Sequence, residues 1–153
     1  MEARMKNPAY VLPDALKGIQ NIFKGINQGG ISQELQELVG LRASQINGCS
    51  ACTLAHVQSL RKAGSSEERI ATVAAWREAP FFTEAEQAAL ELTEHVTRMA
   101  DRSGKAVSDE LWDRVADHYD EKELSAIILT ITVTNMFNRL NATIEEPAGQ
   151  TWG

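Results

Sequence analysis

Three times along this chain a Ser, Thr or Asp is followed three residues later by Glu and then by apolar residues at helical spacing. The pairs are Ser65 with Glu68, Thr83 with Glu86, and Asp120 with Glu123. In such a capping box the short side chain accepts from the third backbone N–H, while the Glu reaches back to the first. Each pair therefore marks the start of a helix. Other starts and stops fit the same reading. Leu12, Leu16, Ile19, Phe23 and Ile26 recur at helical spacing around Pro13, and Gly29-Gly30 ends that segment. Ser32 caps a helix carrying Leu35, Leu38 and Val39, which Asn47-Gly48 breaks, and the next helix runs from about Cys49 to Gly64. Ser108 caps a helix through Leu111, Val115 and Tyr119, after a turn at Ser103-Gly104.

The one segment that resists is Ile127-Ile128-Leu129-Thr130-Ile131-Thr132-Val133, whose β-branched residues favour a strand. The capping box before it and the length of the pattern, to about Asn141, predict a buried helix that is apolar nearly all round. The expectation is an all-α fold of about seven helices. Neither a repeat nor a linker divides the chain, so residues 1–153 are read as a single domain with short N-terminal and C-terminal tails.

A net charge of −6, with basic residues scattered among acids, argues against a nucleic-acid surface. The N-terminal residues lack the apolar core of a signal peptide. The stretch from Ala126 to Phe137 is too short and too polar to span a bilayer. The expected compartment is the cytosol, where thiols stay reduced and two closely spaced cysteines point to catalysis or metal binding rather than to a structural staple.

Those cysteines carry the chemistry. With a helix beginning near Cys49, the side chains of Cys49, Cys52 and His56 fall at i, i+3 and i+7, on one face. The two sulfurs are within bridging range, which predicts a reversible disulfide. A helix N-terminus favours the thiolate, an imidazole one turn away can take its proton, and a carboxylate can orient the imidazole. A second cysteine can resolve the sulfenic acid that a peroxide leaves on the first. The spacing also admits other readings. A zinc site would need a fourth ligand from Glu37, His95 or His118, and two cysteines can simply be core residues. Haem attachment would need His directly after the second Cys, where Thr53 stands. No phosphate-binding Gly loop, nucleophile elbow or HExxH motif is present.

The residues Glu37, Cys49, Cys52 and His56, in the order Glu, eleven residues, CxxC, three residues, His, resemble a known family. It is that of the carboxymuconolactone decarboxylase-like proteins, in its alkyl hydroperoxidase D-like branch. Asn47-Gly48-Cys49-Ser50-Ala51-Cys52, Trp76-Arg77-Glu78-Ala79-Pro80-Phe81-Phe82-Thr83 and Asn135-Met136-Phe137-Asn138-Arg139-Leu140-Asn141 are similar too, so that the resemblance runs from about residue 8 to 147. It implies a thiol-dependent peroxidase in which Cys52 attacks the peroxide, Cys49 resolves, His56 is the general base and Glu37 completes the relay. It also implies a lipoyl- or thioredoxin-type dithiol reductant and a homotrimer or homohexamer; neither a cofactor nor a metal is expected. Some members carry His before the second cysteine, where this chain has Ala51. The decarboxylase branch lacks the cysteine pair. A non-catalytic redox sensor and a decarboxylase-like lyase are the alternative expectations.

Overall fold

The computed structural model describes residues 1–150. Its α-helices are α1 (Pro8–Val11), α2 (Pro13–Asn27), α3 (Gln33–Asn47), α4 (Ser50–Lys62), α5 (Glu67–Thr72), α6 (Glu84–Thr97), α7 (Asp109–Ala116) and α8 (Glu121–Ile144). Turns of 3₁₀ helix at Val73–Glu78 and Met99–Asp101 extend α5 and α6. The fold is all-α, with no strand among the described residues. The seven expected segments are present, and the eighth helix is the four-residue α1, which Asn7 caps by accepting from the Ala9 N–H at 3.0 Å.

Two of the three capping boxes form as read. Thr83 and Glu86 exchange hydrogen bonds of 3.2 and 2.8 Å, and Asp120 and Glu123 bonds of 2.8 and 2.9 Å. The third differs, because Ser66 rather than Ser65 caps α5. Gly64 adopts a left-handed φ of +87°, and the Ser65 N–H then returns to the Leu60 carbonyl at 3.0 Å. That bond closes the Schellman turn ending α4, so Ser65 still belongs to the preceding helix and the next begins one residue later.

Helix α3 sits at the centre, packed on α4, α6 and α8. It buries apolar side chains in two directions. Leu35 and Val39 join Leu92, Val115, Ile127 and Ile131, while Leu38 and Leu41 join Leu60, Val73, Trp76 and Leu90. Its remaining side is left for the functional residues.

The β-branched run is helical, as expected, and Thr130 and Thr132 return their hydroxyls to the carbonyls of Ala126 and Ile128 at 2.7 and 3.0 Å. The helix is not apolar all round, however. Thr134, Asn138 and Asn141, at i, i+4 and i+7, form a buried polar stripe. Helix α8 continues three residues past the expected end, to Ile144, and stops at Glu145 in a left-handed conformation with φ 55°. The stripe of α2 also departs from expectation. Ile26 is buried, but Leu12 and Phe23 are exposed and Leu16 and Ile19 only partly covered. No helix among the described residues is long and apolar enough to cross a membrane.

Candidate active site

The junction between α3 and α4 creates the site. Gly48 takes a left-handed φ of +68°, which reverses the chain directly after α3 and sets Cys49 at the N-cap of α4. The Cys49 sulfur fills the role that a Ser or Asp oxygen plays elsewhere, accepting from the Cys52 backbone N–H at 3.3 Å. Cys49 and Cys52 are joined in a disulfide, their Cα atoms 5.3 Å apart. Although Cys49 stands at the helix end, it is not the more accessible sulfur. Cys49 is 4% exposed and Cys52 5%, and it is Cys52 that faces a cavity. The loop from Gly48 folds against the α3 terminus, with the Cys49 N–H bonded to the Ser44 carbonyl, and so covers the first cysteine.

His56 follows Cys52 by one turn, and its Nδ1 lies 2.7 Å from Glu37 Oε2. An ionised carboxylate only accepts, so Nδ1 carries the hydrogen, and in the neutral ring it is Nε2 that keeps the lone pair. The other oxygen of Glu37 accepts from Gln33 Nε2 at 2.5 Å, one turn earlier on α3. Sequence spacing across the α3–α4 break could not bring Glu37 to His56; packing of the two helices does.

The imidazole lies against Gly40, one turn after Glu37. A Cβ at that position would stand 2.3 Å from His56 Cε1 and 2.7 Å from Nε2. Glycine inside a helix costs about 1 kcal/mol relative to alanine, and here its missing side chain is the space the ring occupies. The signal was available in the sequence as a lone Gly inside a strong helical pattern, yet only the fold says what approaches it.

Cys52 and His56 open onto a cavity of about 250 Å³ whose other walls include Tyr10, Phe23, Val133 and Phe137. Phe23 and Phe137 stack with ring centroids 6.3 Å apart. Asn141 reaches the same space and donates from Nδ2 to the Cys52 sulfur at 3.2 Å. Neither the aromatic walls nor Asn141 had been given a role from sequence. The cavity is therefore mostly apolar, with Thr134, Asn138, Asn141 and His56 as its polar walls and Asn141 bonded to the Cys52 sulfur. An uncharged organic molecule fits such a lining, and the imidazole and sulfur are the groups able to act on it.

The other candidate ligands lie elsewhere. His95 has its Nδ1 3.0 Å from the Ala106 carbonyl, and His118 is exposed beside Tyr119. Among the described residues no group of three or more His, Cys, Asp or Glu side chains is arranged to hold a metal ion. Ala51, where some resembling proteins carry His, is buried within α4.

Residues 13–95 match the model of the carboxymuconolactone decarboxylase family. The uncharacterized protein YdfG of Bacillus subtilis (strain 168) is 38% identical over 131 residues, which cover 86% of this chain and 87% of that one. A crystal structure from Agrobacterium tumefaciens, described as a protein of unknown function and putative antioxidant defence protein AhpD, superposes with a TM-score of 0.86. It is 29% identical and covers 98% of this chain and all of its own. The debrominase Bmp8 shares the fold, with a TM-score of 0.74, 23% identity and coverage of 89% of this chain and 72% of its own. A central glutamate helix, a CxxC pair at the start of the next helix and a match over more than half the sequence agree: the chain belongs to the carboxymuconolactone decarboxylase family.

Proposed function

We propose that the protein is a thiol-dependent peroxidase that reduces organic hydroperoxides at Cys52. The observation that carries this reading is the convergence of one sulfur of a CxxC disulfide, an imidazole tethered to a carboxylate and an apolar cavity. In the reduced protein, His56 Nε2 takes the Cys52 proton and Glu37 holds the ring in the tautomer that can do so. The thiolate attacks the terminal peroxide oxygen and the O–O bond breaks. The alkoxide leaves as the alcohol with the proton from His56, and Cys52 becomes a sulfenic acid. The Cys49 thiol then displaces water from that sulfur and the S–S bond forms. A dithiol of the lipoyl or thioredoxin kind, itself oxidised, returns both cysteines to thiols. A reducing cytosol is the compartment that suits such a cycle.

The test is peroxide consumption with a dithiol reductant. Cys52→Ser is expected to abolish it even in a single turnover. Cys49→Ser should react once and leave a sulfenic acid on Cys52 that dimedone traps. His56→Ala should slow the first step by about 10²–10⁴-fold, the usual loss for a general base, with recovery at high pH. Sulfenic acid trapped on Cys49 instead would reverse the assignment. Equal reactivity in all variants would mean that the motif is structural, and no turnover with the dithiol would leave a redox sensor or a lyase as the better account.

The proposal includes a homotrimer or homohexamer. Its support is the apolar edge of α1 and α2, where Val11, Leu12, Ile22 and Phe23 remain exposed. Light scattering at micromolar concentration should find an oligomer, and a monomer would remove this part of the reading.

A further inference from the structure

A run of three buried groups crosses from the N-terminal segment to the reactive sulfur. Arg4 straps that segment to the end of α8, its backbone N–H on the Ile144 carbonyl at 2.8 Å and its guanidinium on the Thr143 carbonyl at 3.2 Å. Asn7 is thereby held beside Asn141, and both side chains are almost fully buried, at 6% and 3% exposure. Which end of each amide faces which neighbour is settled by a group that cannot change roles. The Ala9 backbone nitrogen can only donate, and it lies 3.0 Å from Asn7, so the Asn7 oxygen is the atom facing it. The Asn7 NH₂ must then face Asn141, and it donates to Oδ1 at 2.8 Å. That leaves the Asn141 NH₂ facing the Cys52 sulfur, at 3.2 Å. A backbone N–H at the start of α1 thus decides that a donor, not a carbonyl, meets the sulfur.

In the disulfide this contact is weak, because a bridged sulfur is a poor acceptor. After reduction the sulfur can carry a full negative charge, and a hydrogen bond to a charged acceptor is much stronger. The contact therefore favours the thiolate form selectively. We propose that Asn141 stabilises the Cys52 thiolate and that Asn7 is the positioning residue that keeps its amide turned donor-first. This inference rests on Cys52 being the reactive thiol. Asn138, one turn before Asn141, does different work, since its NH₂ goes to Ser44 Oγ at 3.0 Å and its oxygen accepts from Asn47.

The experiment is a thiolate titration by ultraviolet absorbance on the single-thiol Cys49→Ser protein, with no peroxide present. Asn141→Leu is expected to lower the thiolate fraction at the background's midpoint pH about tenfold, the size of one hydrogen bond to a charged acceptor. Asn7→Ser keeps an oxygen to cap α1 and adds no charge, but removes the amide that fixes Asn141. It should shift the curve the same way by about threefold. Because Asn7→Ser leaves the immediate surroundings of the sulfur untouched, its shift separates positioning from a change in polarity at the sulfur. It also carries the test should Asn141→Leu fail to fold, with circular dichroism reporting the fold. Shifts in the folded variants support the inference, and a curve that superposes on the background in either overturns it. Shifted curves in a protein that consumes no hydroperoxide would retain the donor and remove the peroxidase reading. Turnover with unshifted curves would do the reverse.

Discussion

Glu37 and Glu94 are both carboxylates drawn mostly out of water, with side chains 14% and 9% exposed, and their partners differ in kind. Glu94 is held by cations that never lose their charge. Arg42 Nε donates to it at 2.8 Å from α3, Arg77 Nη1 at 2.7 Å from the 3₁₀ turn, and the Trp76 indole N–H at 3.0 Å. Arg77 also lies over the Trp76 ring, 4.1 Å from its centroid. Burial works against the charged carboxylate, but the bonds from Arg77, Arg42 and Trp76 outweigh it and hold Glu94 below the usual carboxylate range. Glu37 is bonded instead to a neutral amide and to an imidazole, with no guanidinium among the described residues beside it. A buried acid among fixed cations braces helices together. A half-buried acid behind a histidine that lines a cavity with Cys52 is the arrangement that the proposed proton relay needs.

The widest gap between the two should appear in stability. Glu94→Ala strands the largely buried Arg42 guanidinium and the Trp76 N–H, and should cost about 3–5 kcal/mol, as breaking a buried pair does. Glu37→Gln keeps the shape and a hydrogen-bonding group, so denaturant unfolding should move by no more than about 1 kcal/mol while peroxide consumption falls. If the two variants lose equal stability, the division into brace and relay is wrong.

Gly40→Ala sharpens the same contrast. The added methyl meets first the far end of the His56 side chain, which can swing away, and alanine favours the helix by about 1 kcal/mol. Net stability should therefore change by about 1 kcal/mol or less. The displaced ring cannot keep its contact with Glu37, so turnover should fall toward that of His56→Ala. A variant as active as the parent would mean that the ring's position on α3 is irrelevant to the chemistry.

The smallest effect should be in acid. A carboxyl held low in the folded protein contributes stability that is complete above its unfolded value, about 4.3, and is lost as pH falls through the folded one. Glu94 is in this position. Glu86 is as well, where burial again opposes but hydrogen bonds from Arg69 and Thr83 prevail. Stability should hold down to about pH 5 and decline below it. In Glu94→Gln the decline should be shallower, and an identical slope would show that Glu94 is not a source of it.

How much of this was legible beforehand varies with the range of the interaction. The capping boxes at Thr83 and Asp120 depend on four consecutive residues, and they form as read. The shift from Ser65 to Ser66 needed only the left-handed Gly64, a local fact that a motif search passes over. Cys49, Cys52 and His56 share a helix face because they share a helix. Glu37 was named from the family pattern, since no periodicity spans Gly48. Asn7 and Asn141 are 134 residues apart, and nothing in either neighbourhood announces their contact. The α2 stripe went the other way, because its spacing is plain but spacing does not say whether anything covers it.

By itself the sequence determined the seven longer helical segments, the caps at Thr83 and Asp120, and the bridging pair at the head of α4, because backbone hydrogen bonds and side-chain periodicity act over a turn or two. Only the tertiary structure decided that Glu37 meets His56, that Gly40 makes room for the ring, that Cys52 rather than Cys49 faces the cavity, and that Asn141 presents a donor to its sulfur. Those outcomes depend on how α3, α4 and α8 pack. Side-chain volumes from distant parts of the chain settle that packing together, and no short window of residues contains it.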